Sequence, residues 1–191
     1  MITKILIGLA GLVVVFAFVA ALQPAKFRVA RSTSVAAPSA IAFGQVNDLH
    51  KWQEVSPYVK LDLAAKYLFE GPPAGTGAVL AWTGNNQIGE GRMTIIESRP
   101  NELIRMRLDF AKPFASTCTA EFAFKSEGNQ TAVTWSMAGS KNFVCKAMGL
   151  IMNMDKMIGG QLEEGLANLK SVAEAATRKT NSSAPLASVR N

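Results

Sequence analysis

Histidine is almost absent from this 191-residue chain, and cysteine is scarce. One histidine and two cysteines fall short of the ligand sets that structural zinc and catalytic transition-metal sites need. They also exclude a disulfide framework, and they leave no histidines to spare for a Ser-His-Asp hydrolase. Charge is thin as well: 18% of residues are charged. The net charge of +6 sits mainly at the two ends, because residues 23–169 carry 15 basic against 13 acidic side chains. A basic face for nucleic acid is therefore not expected. Apolar residues, by contrast, make up 49% of the chain, enough to bury a core and too many for a disordered polymer. The length suits one domain with a small appendage.

What is present first is an uninterrupted apolar run. Residues 5–22 read ILIGLAGLVVVFAFVAAL, 18 residues without a charged or polar side chain. As a helix the run covers roughly 27 Å, enough for a hydrocarbon core. Lys4 before it and Val19-Ala20-Ala21 near its end are also parts of a cleavable signal, but the run is longer than the apolar core of such a signal. An uncleaved anchor over residues 1–25 is the favoured reading. The run is apolar on every side, unlike the one-sided stripe of a core helix. Lys26, Arg28 and Arg31 follow it, placed to meet anionic lipid head groups. The expectation is a single-pass protein of a bacterial cytoplasmic (inner) membrane, touching the bilayer through residues 5–22. The flanking charges do not fix the side of the membrane, because long domains translocate regardless of them.

Beyond residue 25 the period changes. Residues 27–35 alternate like a strand. Ala37-Pro38-Ser39 opens a short helix with Ile41, Ala42, Val46 and Leu49 at helical spacing, and residues 52–57 form a second short helix or a loop. Residues 71–77, GPPAGTG, are a turn-rich connector. Strands are then expected over 78–82, 88–98, 102–110, 114–125 and 131–139. The connections between them are too short for parallel crossovers, so the strands form an antiparallel meander. Residues 143–176 form a long helix with one apolar stripe, including Val144, Met148, Ile151, Met154, Ile158, Leu162, Leu166 and Leu169. Gly159-Gly160 either bends it or lets it approach the sheet closely. Residues 177–191 are polar and read as a disordered tail. The domain over 26–176 is thus α+β: a curved antiparallel sheet wrapped around a long C-terminal helix, with a cleft between them.

Alternation separates the strand faces. One face gathers Ile104, Met106, Leu108 and Phe110 with Cys118, Ala120, Phe122 and Phe124, then Val133, Trp135 and Met137. Met93, Ile95, Leu80 and Trp82 continue it. That inner face contains no carboxylate, histidine or lysine. Glu90, Arg92, Arg105, Arg107 and Asp109 fall outward, where cross-strand ion pairs are expected. His50 beside Asp48 reads as a solvated surface histidine, Cys118 as a small buried hydrophobe and Cys145 as a helix-start residue. Five of the eight methionines are Met137, Met148, Met152, Met154 and Met157. They either fill core gaps or, with Trp82, Trp135 and Phe122, line a pocket for an apolar ligand.

The expected ligand-binding residues are therefore Trp82, Met93, Ile95, Met106, Leu108, Phe110, Phe122, Trp135, Met137, Met148 and Met152. No catalytic residue, metal ligand or cofactor is assigned. Tyr58, Asn85, Arg92 and His50 are the polar groups available were the cleft catalytic.

Several strings carry a resemblance: RSTSVAAP over 31–38, Val46-Asn47-Asp48, Trp52 with Ser56-Pro57, Gly75-Thr76-Gly77, Trp82-Thr83-Gly84-Asn85, GEGRMTI over 89–95, Thr134-Trp135 and MNMDKM over 152–157. With the element order they resemble the SRPBCC superfamily, the START-like helix-grip proteins that include polyketide cyclase/dehydrase and lipid-transport members. The likeness covers about residues 26–173 and is similar to bacterial members with an N-terminal membrane helix. It departs at Val55 and Tyr58, where relatives often carry tryptophan. It implies a cavity between sheet and long helix for a lipid, polyketide, quinone-like or other apolar molecule. The expectation is a membrane-tethered binding or carrier domain for a hydrophobic small molecule. The alternatives are a polyketide cyclase/dehydratase-like enzyme, and an envelope structural or protein-interaction module with a collapsed cavity.

Overall fold

Strict alternation of apolar and polar residues, interrupted by glycine, proline and asparagine, yields seven strands. The structure, a computed structural model, describes residues 2–141, 143–151 and 153–183, without the side chains of Ile5, Val144, Met148, Ile151, Met154 and Ser183. Helix α1 (Ile2–Leu22) leads into β1 (Lys26–Val35), α2 (Ser39–Asn47), α3 (Trp52–Val55) and a 3-10 turn (Val59–Leu61). Strands β2 (Lys66–Glu70), β3 (Val79–Thr83), β4 (Glu90–Arg99), β5 (Leu103–Lys112), β6 (Ser116–Glu127) and β7 (Gln130–Ser140) follow, then α4 (Phe143–Ile151) and α5 (Met154–Ser183).

All neighbouring strands are antiparallel, in the order β1-β7-β6-β5-β4-β3-β2. The first strand thus closes onto the last. Two irregularities in β4, at Glu90/Gly91 and Ile95/Glu97, help to curve the sheet. The register gives the sheet two ends. At one end Lys26 pairs with Ser140, Phe110 lies opposite Ser116 and Gly91, and Trp82 lies opposite Gly91 and Tyr67. This end adjoins α1 and is called proximal below.

The distal half of the concave face is filled. Phe43 of α2 meets Phe124 edge-on at 5.6 Å. Val35, Val46, Val133, Leu162, Leu169 and Ala173 are fully buried around them. Helix α5 runs alongside β1. Lys170 Nζ donates to the Ser34 carbonyl (2.7 Å), and Glu174 accepts from the Ala36 amide (2.9 Å). Near the start of α5, the Arg31 guanidinium donates to Asp155 Oδ2 (2.9 Å) and Glu163 Oε1 (2.6 Å). It lies across Gly159, where any Cβ would occupy its place. Gly159 therefore permits close approach and does not break the helix.

Three features differ from expectation. β2 is a seventh strand: its five residues lie between two turn-rich segments, too short a run to stand out, and pairing with β3 secures it. The long helix is two helices, α4 ending at Ile151 and α5 starting at Met154, with Asn153 outside both. Asn153 Oδ1 accepts from the Lys156 amide (2.9 Å), an N-cap that starts α5 afresh. Finally, residues 177–183 are helical, where a disordered tail was expected from 177 onward. No glycine or proline stops α5 there, and the Thr177 and Thr180 hydroxyls bond the Ala173 and Ala176 carbonyls (2.9 and 3.0 Å). Residues 184–191 of that tail lie outside the described residues.

Helix α1 is long and apolar enough to cross a membrane. Apart from half-buried Ala17, its described side chains are exposed up to Val19, and Ala20 is fully buried. Its last turn packs against α4, with Lys146 Nζ donating to the Ala21 carbonyl (3.3 Å).

Candidate ligand-binding cavity

Because α5 starts level with Arg31, whose sheet partner is Trp135, α5 does not cover the proximal half of the concave face. Its opposite wall is the segment around α3 and the 3-10 turn. Between them is a cavity of about 150 Å³. The sheet contributes Tyr67, Leu80, Trp82, Met93, Met106, Leu108, Phe110, Ala120, Phe122, Trp135 and Met137. The opposite wall contributes Trp52, Gln53, Ser56, Tyr58 and Val59, and the β3–β4 loop adds Gln87 and Ile88.

Eight of the expected binding residues, Trp82, Met93, Met106, Leu108, Phe110, Phe122, Trp135 and Met137, thus face this space. Ile95 does not: it is fully buried in the core beside it. Met152 and the Met148 side chain lie outside the described residues, and Met157 is exposed. Among the described residues none of α4 or α5 lines the cavity and the segment 52–59 faces the sheet across it; Met152 and the side chains of Val144, Met148, Ile151 and Met154 lie outside the described residues.

The floor is an aromatic cluster. Phe122 and Trp135 stack with ring centroids 4.7 Å apart, and Trp52 meets both edge-on at 5.5 and 5.4 Å. Gly165 of α5 lies directly behind the Trp135 ring. At the proximal rim Trp82 meets Phe110 at 5.6 Å, and its indole N–H donates to the Ile88 carbonyl (3.0 Å).

The polar groups are few and neutral, the amides of Gln53 and Gln87, the hydroxyls of Ser56, Tyr58 and Tyr67, and the indoles. Among the described residues no charged side chain lines the cavity. Two lining residues, Gln53 and Trp135, carry buried N–H groups (Nε2 and Nε1) with no hydrogen-bond partner among the described residues. A buried donor left unpaired costs about 1–3 kcal/mol, which a side-chain shift toward a ligand lone pair would recover. Burial, followed by nearby Cys118, pushes the Tyr58 phenol up to about 12. Burial, followed by Asp109, pushes the Cys118 thiol up to about 11. Both groups are neutral at pH 7: they can donate a hydrogen bond but cannot act as bases.

The other polar candidates lie elsewhere. Arg92 is ion-paired with Glu70 (2.9 Å) on the outer face, where Arg105 joins Glu97 and Glu121. Asn85 builds its own loop, its side chain donating to the Leu61 carbonyl (3.0 Å). His50 is exposed beside Asp48 (3.5 Å) and stacks on Phe69 at 3.9 Å. Sequence reasoning missed Trp52, Gln53 and Tyr67 as wall residues. The alternation of Tyr67 with Phe69 was the available signal for one of them.

A curved antiparallel sheet holding an apolar hollow, with a long C-terminal helix along it, defines a helix-grip protein. The chain belongs to the polyketide cyclase/dehydrase and lipid transport family, whose model matches residues 26–174. No curated protein matches it by sequence. Solved structures share its fold at low identity. A protein from Chromobacterium violaceum aligns with TM-score 0.56 and 12% identity, over 80% of this chain and 99% of its own. Major latex-like protein 151 from Panax ginseng gives 0.54 and 11%, over 81% and 99%. The di-domain ARO/CYC StfQ of the steffimycin biosynthetic pathway gives 0.59 and 11%, over 80% of this chain and 52% of its own.

Proposed function

We propose that the chain is a membrane-tethered binding domain that holds a neutral, hydrophobic small molecule carrying a hydrogen-bond acceptor such as a carbonyl. One observation carries this reading: the described lining of the cavity is apolar and uncharged, and two of its residues, Gln53 and Trp135, carry N–H groups without a described partner. Burying apolar surface supplies the affinity, and the donors select the end of the ligand that enters. A charged head such as a free carboxylate is disfavoured, since no cation stands ready to receive it. An apolar cavity of about this volume accommodates one six-membered ring in other proteins. A larger ligand places one ring-sized or chain segment inside and leaves the remainder toward the rim.

The cyclase-like alternative has one observation in its favour. Tyr58, Gln53 and Trp135 are neutral donors that could polarise a carbonyl, and the fold is shared with an ARO/CYC protein. Among the described residues no carboxylate, histidine or lysine lines the cavity, so we favour binding as the use of the site.

Native mass spectrometry with organic extraction tests the reading on the full chain in lipid nanodiscs. A stoichiometric apolar molecule bearing a carbonyl or similar acceptor, unchanged on incubation, supports a binding domain. An empty protein that also rejects small ketones and hydrocarbons removes it. Conversion of the bound molecule moves the assignment to the enzyme.

A further inference from the structure

The cavity is not open evenly. Its deep wall, Phe122, Trp135 and Met106, is 0–3% exposed. Its proximal wall, Tyr67, Trp82, Leu108 and Phe110, is only half-buried. The mouth therefore lies at the proximal end of the sheet, the end where the chain leaves α1.

The tether there has almost no slack. Only Gln23, Pro24 and Ala25 separate α1 from β1, so at most roughly 14 Å of extended chain joins Leu22 to Lys26. Even that span is pinned, because the Lys141 amide donates to the Ala25 carbonyl (2.7 Å). Helix α4, packed on the end of α1, occupies the same end.

The composition of that end is distinctive. Phe114 in the β5–β6 turn, Leu63 before β2 and Phe143 opening α4 are exposed at 57%, 87% and 53%. Lys26, Lys66, Lys112, Lys141 and Lys146 surround them, against Asp62 and Glu90. The distal turns instead carry Glu97, Glu102 and Glu127 with Arg99 and Lys125. Exposed apolar tips within a ring of lysines are the composition of a surface that rests on anionic lipid.

We infer that the proximal end of the sheet is a bilayer-docking surface: Phe114, Leu63 and Phe143 enter the head-group layer, the lysines meet lipid phosphates, and the cavity mouth opens onto the membrane. The ligand then passes between bilayer and cavity without crossing water, and its longer portion remains in the lipid. This inference rests on the tethered reading above, and a separate measurement tests each.

A photo-crosslinking benzophenone amino acid is placed at Phe114, at Leu63 or, as the distal control, at Lys125, in the full chain in nanodiscs containing anionic phospholipid. Illumination is followed by mass spectrometry. Adducts with the mass of a phospholipid at 114 and 63, and none at 125, support the docking surface. Equal yields at all three positions overturn it, and so does capture of a second copy of the chain at 114 and 63. Alkaline carbonate extraction of membranes tests the tether itself. Release of the full chain would overturn the tether and the docking surface together, whereas retention with no lipid adducts overturns docking alone.

Discussion

At the scale of single residues, the cavity is defined by what two nitrogen atoms lack. Trp135→Phe and Gln53→Leu each delete an unpartnered donor while keeping an apolar filling. Titration of acetophenone against its hydrocarbon counterpart α-methylstyrene is expected to show the wild type preferring the ketone. Each variant should lose about tenfold of that preference, about 1.4 kcal/mol; Gln53→Leu should leave thermal stability nearly unchanged, whereas Trp135→Phe should lower it through the volume lost beside Phe122 and Trp52. Equal affinity of wild type and variants for the ketone would remove the role assigned to these atoms. Tyr58 and Cys118 make a second residue-scale prediction. Folded, both hold their protons more tightly than in the unfolded chain. Above pH 9 to 10 the unfolded state therefore binds fewer protons than the folded one. Stability, complete at neutral pH, falls as the pH rises toward 11 and 12, by up to about 2 kcal/mol per group. Denaturant titrations from pH 7 to 11 check the slope, which Tyr58→Phe and Cys118→Ala together should flatten. The side chains from the strands were legible in sequence because period-2 alternation assigns Phe122, Met106 and Trp135 to one face. Gln53 was not: nothing in its local pattern reveals that it lines an apolar space and that its amide nitrogen is buried without a described partner.

At the scale of elements, the critical join is between β1 and α5. Gly159 lets the Arg31 guanidinium lie on the helix and reach Asp155 and Glu163 together. Gly159→Ala puts a methyl group in that place and displaces Arg31. The expected outcome is a melting temperature lower by a few degrees and faster amide hydrogen exchange over residues 155–163. Exchange around Leu166 and Leu169, which are locked in the distal core, should be unchanged. Uniform acceleration along α5 would show that Arg31 is not a local clamp. The Gly-Gly pair was legible as either a bend or a close approach, and only the residue opposite it decides between them. The true break, at Asn153, was masked in sequence by an apolar stripe that runs straight through it. Periodicity reports which face is apolar, whereas a side-chain cap decides whether successive turns belong to one helix. The same limit hid β2, whose five residues become a strand through pairing with β3.

At the scale of the whole molecule, the fold was legible from element order and the long apolar helix α1 from its hydropathy. Their relation was not, because it emerges only after the strand register brings Lys26, Phe110, Trp82 and Tyr67 to one end. That relation can be disturbed without touching the cavity. A flexible Gly/Ser insertion of about ten residues after Ala25 adds roughly 17 Å of reach and lets the domain lift from the surface. Uptake of a fluorescent ketone from nanodisc lipid is expected to slow, while release of preloaded ligand into detergent stays the same. Unchanged uptake would mean that the short connector serves no role in loading. The connector also sets the kind of kinetics the protein obeys. On the proposed tether, a domain held so close to α1 would not shuttle through solution between membranes. It would meet ligands, and any acceptor of them, by lateral diffusion in a plane, so its encounter rate would follow surface density rather than bulk concentration.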